Sequence, residues 1–295
     1  MVMSRRERVE IPDGDFWDFD WTDPPHAAPE TPLVVLLHGL EGGSGSHYAR
    51  ALMAFLASCG WRGVVAHFRG CSGERNRMPR AYHSGDYEEL ALMLAAVRSR
   101  TAPATPLYAV GVSVGGSVLL NWLGRARGDA GKILKAAAAV STPLDLLGAG
   151  IAIDKGFNRI YVRHFLSTLK PKSLEMARRF PGLLDEPSIR RAHSLYAFDD
   201  AVTSRLHGFT GAHDYWTRAS AKPWLAKIAL PTLVLNAKND PFVPRDSLPN
   251  QRDVSSDVLL VQPDDGGHGG FLDGPFPGNL LWLPRRLLDF FAHHR

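Results

Sequence analysis

Hydrophobic and polar positions follow two different periods along the chain. Near the N-terminus, the residues on either side of Pro12-Asp13-Gly14 alternate, and Trp17, Phe19 and Trp21 are separated by acidic residues. A period of two on both sides of a turn predicts a β-hairpin, in which Gly14 supplies the positive φ that the turn needs. A proline-rich loop from residue 24 to residue 32 ends this pattern.

From residue 33 onward, short apolar runs alternate with segments of helical periodicity. The apolar runs predict strands at 33–37, 63–68, 107–112, 136–141, 232–236 and 258–261. Helical spacing or helix-start signals follow at 48–60, after Asp86 with Glu89, at 114–127 and from Pro284 to the C-terminus. Strands that alternate with helices indicate βαβ units, so we expect an α/β fold with a mostly parallel sheet between helices.

The interval from residue 142 to residue 230 breaks this alternation. It has short amphipathic pieces at 159–169, 173–180 and 187–196 and no convincing strand. An insertion of this length with structure of its own is typical of a lid. We therefore expect one domain over 1–295, with 142–227 as a helical cap that roofs the site and selects apolar groups through side chains such as Phe157, Leu166, Leu169, Phe180 and Leu195.

Composition places the chain among ordinary globular proteins. It is 45% hydrophobic and 22% charged, which excludes disordered and disulfide-rich classes, and its two cysteines, Cys59 and Cys71, offer no disulfide framework. No run approaches the roughly 18 apolar residues of a membrane-spanning helix. The arginines near the N-terminus precede no apolar segment of the kind a secretory signal contains, so we expect a cytoplasmic protein.

The formal net charge of +4 is unevenly distributed. Residues 142–227 hold 13 Lys and Arg against 8 Asp and Glu, so the basic excess belongs to the predicted cap. No nucleic-acid-binding module is recognisable, and we expect no nucleic-acid partner. We interpret the basic excess of this segment as charge on solvated helix faces. Binding of an anionic substrate and a weak contact with an acidic membrane remain as alternatives.

The sequence Gly111-Val112-Ser113-Val114-Gly115 matches G-x-S-x-G between a predicted strand and a predicted helix. In that setting the motif predicts a nucleophile elbow, a sharp turn whose flanking positions have no room for side chains. A glycine-rich turn without chemistry is the alternative. The context favours Ser113 as a nucleophile.

A serine nucleophile needs a base, and the base needs an orienting acid. His268 lies among glycines in the loop after the last predicted strand and is the candidate base. Asp240 follows the strand at 232–236 and is the candidate acid; Asp145, after the preceding strand, is its competitor and a candidate helix cap. The chain order Ser113, Asp240, His268 is that of the α/β-hydrolase fold.

Attack on a carbonyl also needs hydrogen-bond donors for the oxyanion. One candidate is the backbone N–H of Val114, directly after the nucleophile. The other is the N–H of Leu40, in the glycine-rich loop after the first parallel strand. We expect His38, at the start of that loop, to form structural hydrogen bonds rather than to catalyse.

Several motifs together resemble the YheT/EMB8 family of α/β-hydrolases, and they extend from about residue 12 to the C-terminus. They are His38-Gly39-Leu40-Glu41-Gly42, Phe68-Arg69-Gly70-Cys71-Ser72, Tyr82-His83-Ser84-Gly85, Gly111 to Gly116, Tyr215 to Ser220 and Asn239-Asp240-Pro241-Phe242. The resemblance implies an esterase or lipase-like hydrolase whose charge-relay triad corresponds to Ser113, Asp240 and His268.

We therefore expect a serine-dependent hydrolase of carboxylic esters that needs no metal or organic cofactor. The chain has no GxGxxG, P-loop or HExxH motif, so nucleotide cofactors and zincin-type metal sites lack support. The expected partner is a small-molecule ester with an apolar acyl group. Thioester hydrolysis or acyl transfer by the same triad, and a non-catalytic binding protein of this fold, remain as alternatives.

Overall fold

One eight-stranded sheet organises residues 4–294, the part of the chain that this computed structural model describes; the predicted domain limits at residues 1 and 295 lie outside it. The strands are β1 Arg5–Glu10, β2 Phe16–Thr22, β3 Leu33–Leu37, β4 Arg62–Ala66, β5 Leu107–Val112, β6 Ala136–Val140, β7 Thr232–Leu235 and β8 Val258–Val261. Their order is β1-β2-β4-β3-β5-β6-β7-β8. Strands β3 to β8 pair in parallel, and β2 is antiparallel to both β1 and β4. The predicted α/β fold with an N-terminal hairpin is confirmed.

Helices cover both faces of this sheet. They are α1 His47–Ser58, α2 Tyr87–Arg98, α3 Val114–Ala126, α4 Leu146–Ile153, α5 Arg159–Arg179, α6 Glu186–Arg191, α7 Leu195–Ala201, α8 Thr203–His207, α9 Ala212–Ala219 and α10 Trp282–Ala292. In β3, Leu33, Val35 and Leu37 join a core with α2 and α3, whereas Val34 and Leu36 join a core with α1 and α10. Burial on both faces is why the parallel strands are continuously apolar.

The hairpin departs from the expected division into an apolar and a polar face. Every residue of β2 is buried, including Asp18 and Asp20 between the aromatic residues. The edge strand β1 covers them, because Arg8 Nη2 lies 2.9 Å from Asp18 and Arg6 Nε lies 2.7 Å from Asp20. Ion pairing with the neighbouring strand therefore makes burial of these carboxylates tolerable.

Residues 142–227 connect β6 to β7 through helices α4 to α9, and the described residues in this interval contain no strand. The segment has an apolar core of its own, which includes Val162, Leu166, Ile189 and Phe198. The predicted break between residues 169 and 173 is wrong, because α5 continues through Pro171 to Arg179. The prediction of one helical piece at 187–196 is also wrong. The structure has two helices there, because α6 ends at Arg191 and Ser194 caps α7 by accepting the Ala197 N–H.

Among residues 4–294, no helix combines the length and the apolar character that crossing a membrane requires.

Candidate active site

Four chain segments meet at the carboxyl edge of the parallel strands. Ser113 directly follows β5, Asp240 lies in the loop after β7, and His268 lies in the loop after β8. Leu40 lies in the loop after β3. Because neighbouring parallel strands end at the same edge, residues far apart in sequence come together here, which is the usual location of sites in open α/β sheets.

Ser113 occupies a strained turn that packing permits only with glycine neighbours. Its φ of 54° and ψ of −118° are unusual for a residue with a side chain. A Cβ on Gly115 would lie 2.3 Å from the Leu37 carbonyl oxygen, and one on Gly111 would lie 2.4 Å from the Gly115 oxygen. The G-x-S-x-G spacing is thus required by close backbone packing at the sheet edge.

Hydrogen bonds join Ser113, His268 and Asp240 in one chain. The Ser113 Oγ lies 2.9 Å from His268 Nε2, and His268 Nδ1 lies 2.8 Å from Asp240 Oδ2. The Asp240 side chain is fully buried, and its other oxygen accepts the Phe242 N–H at 2.8 Å. An ionised carboxylate only accepts, so Nδ1 carries the proton and Nε2 is left as the acceptor for the serine hydroxyl.

Polar contacts that the sequence analysis missed hold the histidine loop in place. The Gly269 N–H donates to Ser141 Oγ and the Gly267 N–H donates to Asn239 Oδ1, both at 2.9 Å. The Phe242 ring lies 4.5 Å from the His268 ring, centroid to centroid. Asn239 and Phe242 flank Asp240 in a quoted motif, so the sequence contained a signal for two of these contacts.

Asp145 is separate from this chain of hydrogen bonds. Its carboxylate accepts the N–H groups of Leu147 and Gly148, at 3.1 and 3.2 Å, and so caps the N-terminus of α4. Asp145 therefore makes the contacts of a helix cap, which was the role suggested for it from the sequence. The carboxylate that lies next to His268 is that of Asp240, not that of Asp145.

The loop after β3 has most of its N–H groups already bonded. The Gly39 N–H donates to Tyr48 Oη at 2.9 Å, the Glu41 N–H to Tyr82 Oη at 2.8 Å, and the Gly42 N–H to the Gly39 oxygen at 3.0 Å. Within residues 4–294, the Leu40 N–H has no hydrogen-bond acceptor. Leu40 borders the same cavity as Ser113, so its N–H is available to a ligand there.

His38 supports this loop from below. The Phe68 N–H donates to His38 Nε2 at 3.1 Å, so the proton is on Nδ1, which lies 2.8 Å from the Gly39 oxygen. Burial lowers the pKa of the imidazole to about 3. His38 is therefore a neutral hydrogen-bonding group under the loop.

An ion pair joins the loop after β3 to the helical segment above it. The Lys172 ammonium of α5 lies 2.7 Å from the Glu41 carboxylate, which also accepts from Tyr82 Oη at 3.1 Å. The neighbouring Cys71 thiol is shielded by burial, which raises its pKa to about 12. The thiol therefore stays protonated and is a poor nucleophile at neutral pH.

Ser113 opens into a cavity of about 620 Å³. Residues of 142–227 form its opposite wall, mainly with apolar side chains: Ile153, Phe165, Leu169, Met176, Phe180, Leu195, Phe198, Val202, Leu206 and Trp216. Two of the expected apolar side chains are not part of this wall. Leu166 is buried in the core of the helical segment, and Phe157 is 90% exposed to solvent.

No group of three His, Cys, Asp or Glu side chains in the described part of the chain is arranged to hold a metal ion.

Comparison with known proteins identifies the fold family. A family model described as alpha/beta hydrolase fold matches residues 32–275. YheT of Escherichia coli strain K12, which carries an esterase name, is 38% identical over 96% of this chain and 83% of its own length. Human phospholipase ABHD3 is 31% identical over 98% of this chain and 72% of its own length. The structure of Est1E from Butyrivibrio proteoclasticus with ferulic acid matches with a TM-score of 0.62 at 17% identity, over 98% of each chain. The chain therefore belongs to the α/β-hydrolase fold family, in the group that includes YheT and EMB8.

Proposed function

We propose that this protein is a serine hydrolase of carboxylic esters, with Ser113 as nucleophile, His268 as general base and Asp240 as the orienting acid. The observation that carries the proposal is the bridging position of His268, 2.9 Å from the serine oxygen and 2.8 Å from a buried carboxylate. The esterase name of YheT supports the same class of reaction.

The proposed reaction has two acyl-transfer steps. His268 Nε2 takes the Ser113 proton as Oγ attacks the ester carbonyl carbon, and Asp240 stabilises the imidazolium through Nδ1–H. The N–H groups of Leu40 and Val114 stabilise the oxyanion. When the tetrahedral intermediate collapses, His268 protonates the departing alcohol. Water, deprotonated by the same imidazole, then attacks the acyl-enzyme and releases the acid and the free serine.

The cavity supports an apolar acyl group as substrate. Its wall above Ser113 consists mainly of aliphatic and aromatic side chains from α5, α7 and α8. Each methylene transferred from water to such a surface contributes about 0.8 kcal/mol. We propose that residues 142–227 act as the cap that makes this selection, so kcat/KM for p-nitrophenyl esters rises with acyl length until the cavity is filled.

The triad assignment is tested with Ser113→Ala, Asp240→Asn and the matched control Asp145→Asn. We expect Ser113→Ala to lose both ester hydrolysis and labelling by a fluorophosphonate probe. Asp240→Asn should lower kcat for p-nitrophenyl butyrate on the order of 10⁴-fold, as in serine-protease triads. Asp145→Asn should stay active, because asparagine caps helices as well as aspartate does.

Circular dichroism and thermal unfolding of all three variants separate loss of chemistry from loss of fold. Wild-type turnover by folded Ser113→Ala would refute the nucleophile assignment. A silent Asp240→Asn beside an inactive, folded Asp145→Asn would show that the acid is wrongly assigned.

A further inference from the structure

The corner that joins α4 to α5 exposes large apolar side chains to solvent. Phe157 is 90% exposed, Ile160 61% and Ile151 53%. All three lie within ten residues, in a segment where the Asn158 side chain ties the turn to the end of α4 by donating to the Ala152 oxygen. We call residues 151–163 the cap corner. Clustered apolar exposure of this kind marks an interaction surface.

The same segment carries three cationic side chains. Lys155, Arg159 and Arg163 are exposed, and within residues 4–294 none of them forms an ion pair. The acidic residue of the cap corner, Asp154, is half-buried and directed inward, where its carboxylate accepts the Leu195 N–H at 3.1 Å. The cap corner therefore presents apolar groups and unpaired cations, without an exposed carboxylate.

The cap corner also adjoins the candidate active site. Asn158 Nδ2 donates to the Pro241 oxygen at 2.6 Å, next to Asp240. The Tyr161 ring lies 4.8 Å from the ring of Phe242, and Tyr161 lines the cavity that contains Ser113. A surface bound at the cap corner would therefore lie close to the cavity.

We propose that the cap corner docks this protein on an acidic phospholipid bilayer. Phe157 and Ile160 would enter the boundary between headgroups and acyl chains, while Lys155, Arg159 and Arg163 face the anionic headgroups. Apolar burial and attraction to anionic lipid together give such surfaces their affinity. The idea that docking delivers bilayer esters to Ser113 rests on the proposed function, whereas the docking itself does not.

Co-sedimentation with vesicles tests the docking. Full-length protein is mixed with vesicles of equal parts phosphatidylglycerol and phosphatidylcholine, or of phosphatidylcholine alone, at low and high salt. We expect binding to the acidic vesicles that weakens with salt. Lys155→Gln/Arg159→Gln/Arg163→Gln should lower the partition coefficient on the order of 100-fold, because each of the three cations contributes a factor of about five to binding. Phe157→Ser/Ile160→Ser should lower it about tenfold or more.

Matched controls have the same chemistry at other sites. Leu92 on α2 is 59% exposed, and Arg252, Arg285 and Arg286 are exposed and form no ion pair within the described residues. Leu92→Ser and Arg252→Gln/Arg285→Gln/Arg286→Gln should bind as wild type does. Equal loss in the controls, equal binding to neutral vesicles, or a wild-type dimer that Phe157→Ser/Ile160→Ser dissociates would overturn the proposal.

Two further measurements keep this test separate from that of the triad. Ser113→Ala should bind acidic vesicles like wild type, because the docking does not use the serine. Wild-type protein that binds these vesicles but hydrolyses no ester would refute the proposed function and leave the docking intact. Phe157→Ser/Ile160→Ser should hydrolyse soluble p-nitrophenyl acetate normally and lose hydrolysis of an ester carried in the vesicles. Undiminished hydrolysis of the vesicle ester by this variant would count against docking through the cap corner.

Discussion

Replacement of His38 by glutamine tests whether a neutral, buried imidazole supports the loop after β3. The imidazole accepts the Phe68 N–H through Nε2, and its Nδ1 lies 2.8 Å from the Gly39 oxygen. A proton added to Nε2 would face the Phe68 N–H, and the resulting charge would have no water around it. The folded state therefore disfavours the charged form, which is why the pKa falls to about 3.

The sign of the effect on stability follows from proton counts. An unfolded chain binds a proton at His38 with a pKa of about 6.5, whereas the folded chain binds it at about 3. Between these values the unfolded state holds more protons, so the contribution is present above pH 6.5 and is lost as the pH falls. The loss is about 2 kcal/mol between pH 7.5 and pH 5, with a slope near 1.4 kcal/mol per pH unit around pH 5.

Denaturant unfolding at a series of pH values from about 7.5 to 4.5 measures this slope. Glutamine can accept the Phe68 N–H but does not titrate. Because the substitution disturbs the buried hydrogen bonds of the ring, we expect His38→Gln to be less stable by about 1–3 kcal/mol at pH 7.5. Its free energy of unfolding should fall less steeply with acid than that of wild type, by about one proton. His213→Gln changes an exposed histidine of α9 and should keep the wild-type slope. A slope of His38→Gln parallel to that of wild type would refute the argument.

Two further substitutions address the elbow and the loop beside it. Gly115→Ala places a Cβ 2.3 Å from a backbone oxygen of β3, so thermal unfolding should show destabilisation of about 2 kcal/mol or more, whereas Gly128→Ala, with open space around it, should change little. Lys172→Met removes the cation from the Glu41 carboxylate, whose side chain is only 9% exposed, and should lower kcat for ester hydrolysis several-fold. Lys170→Met, which removes a cation bound to carbonyls of the helical segment, is its control; equal rates in the two variants would contradict a role for the Glu41 contact.

The parallel strands were predictable because burial on both faces leaves a simple pattern. The runs at 33–37, 107–112 and 258–261 coincide with β3, β5 and β8. The same logic locates the candidate site, since residues that follow strands in a parallel sheet must lie along one edge. Chain order and strand position were therefore enough to bring Ser113, Asp240 and His268 together in advance.

Polar contacts between distant segments were not predictable in this way. Glu89 has the spacing of a capping box with Asp86, but its carboxylate binds Arg69 and the Trp17 indole N–H in the buried layer beneath β2. A helix-start pattern describes neighbours within one turn, whereas these partners come from other elements. The start of α2 was predicted correctly, and the role of Glu89 was not.

Residues 142–227 show the same limit for apolar residues. Helical spacing identifies which side chains share a stripe, but it does not say whether the stripe faces the cavity, the core of the segment or solvent. Leu169 lines the cavity, Leu166 is buried in the segment's core and Phe157 is exposed, although the sequence predicted all three as apolar side chains facing the site. Phe157 and Ile160, the proposed docking side chains, do not line the cavity, so substitutions there and substitutions in the cavity wall can test docking and substrate selection independently. A Leu169 variant should therefore alter acyl preference and leave vesicle binding unchanged.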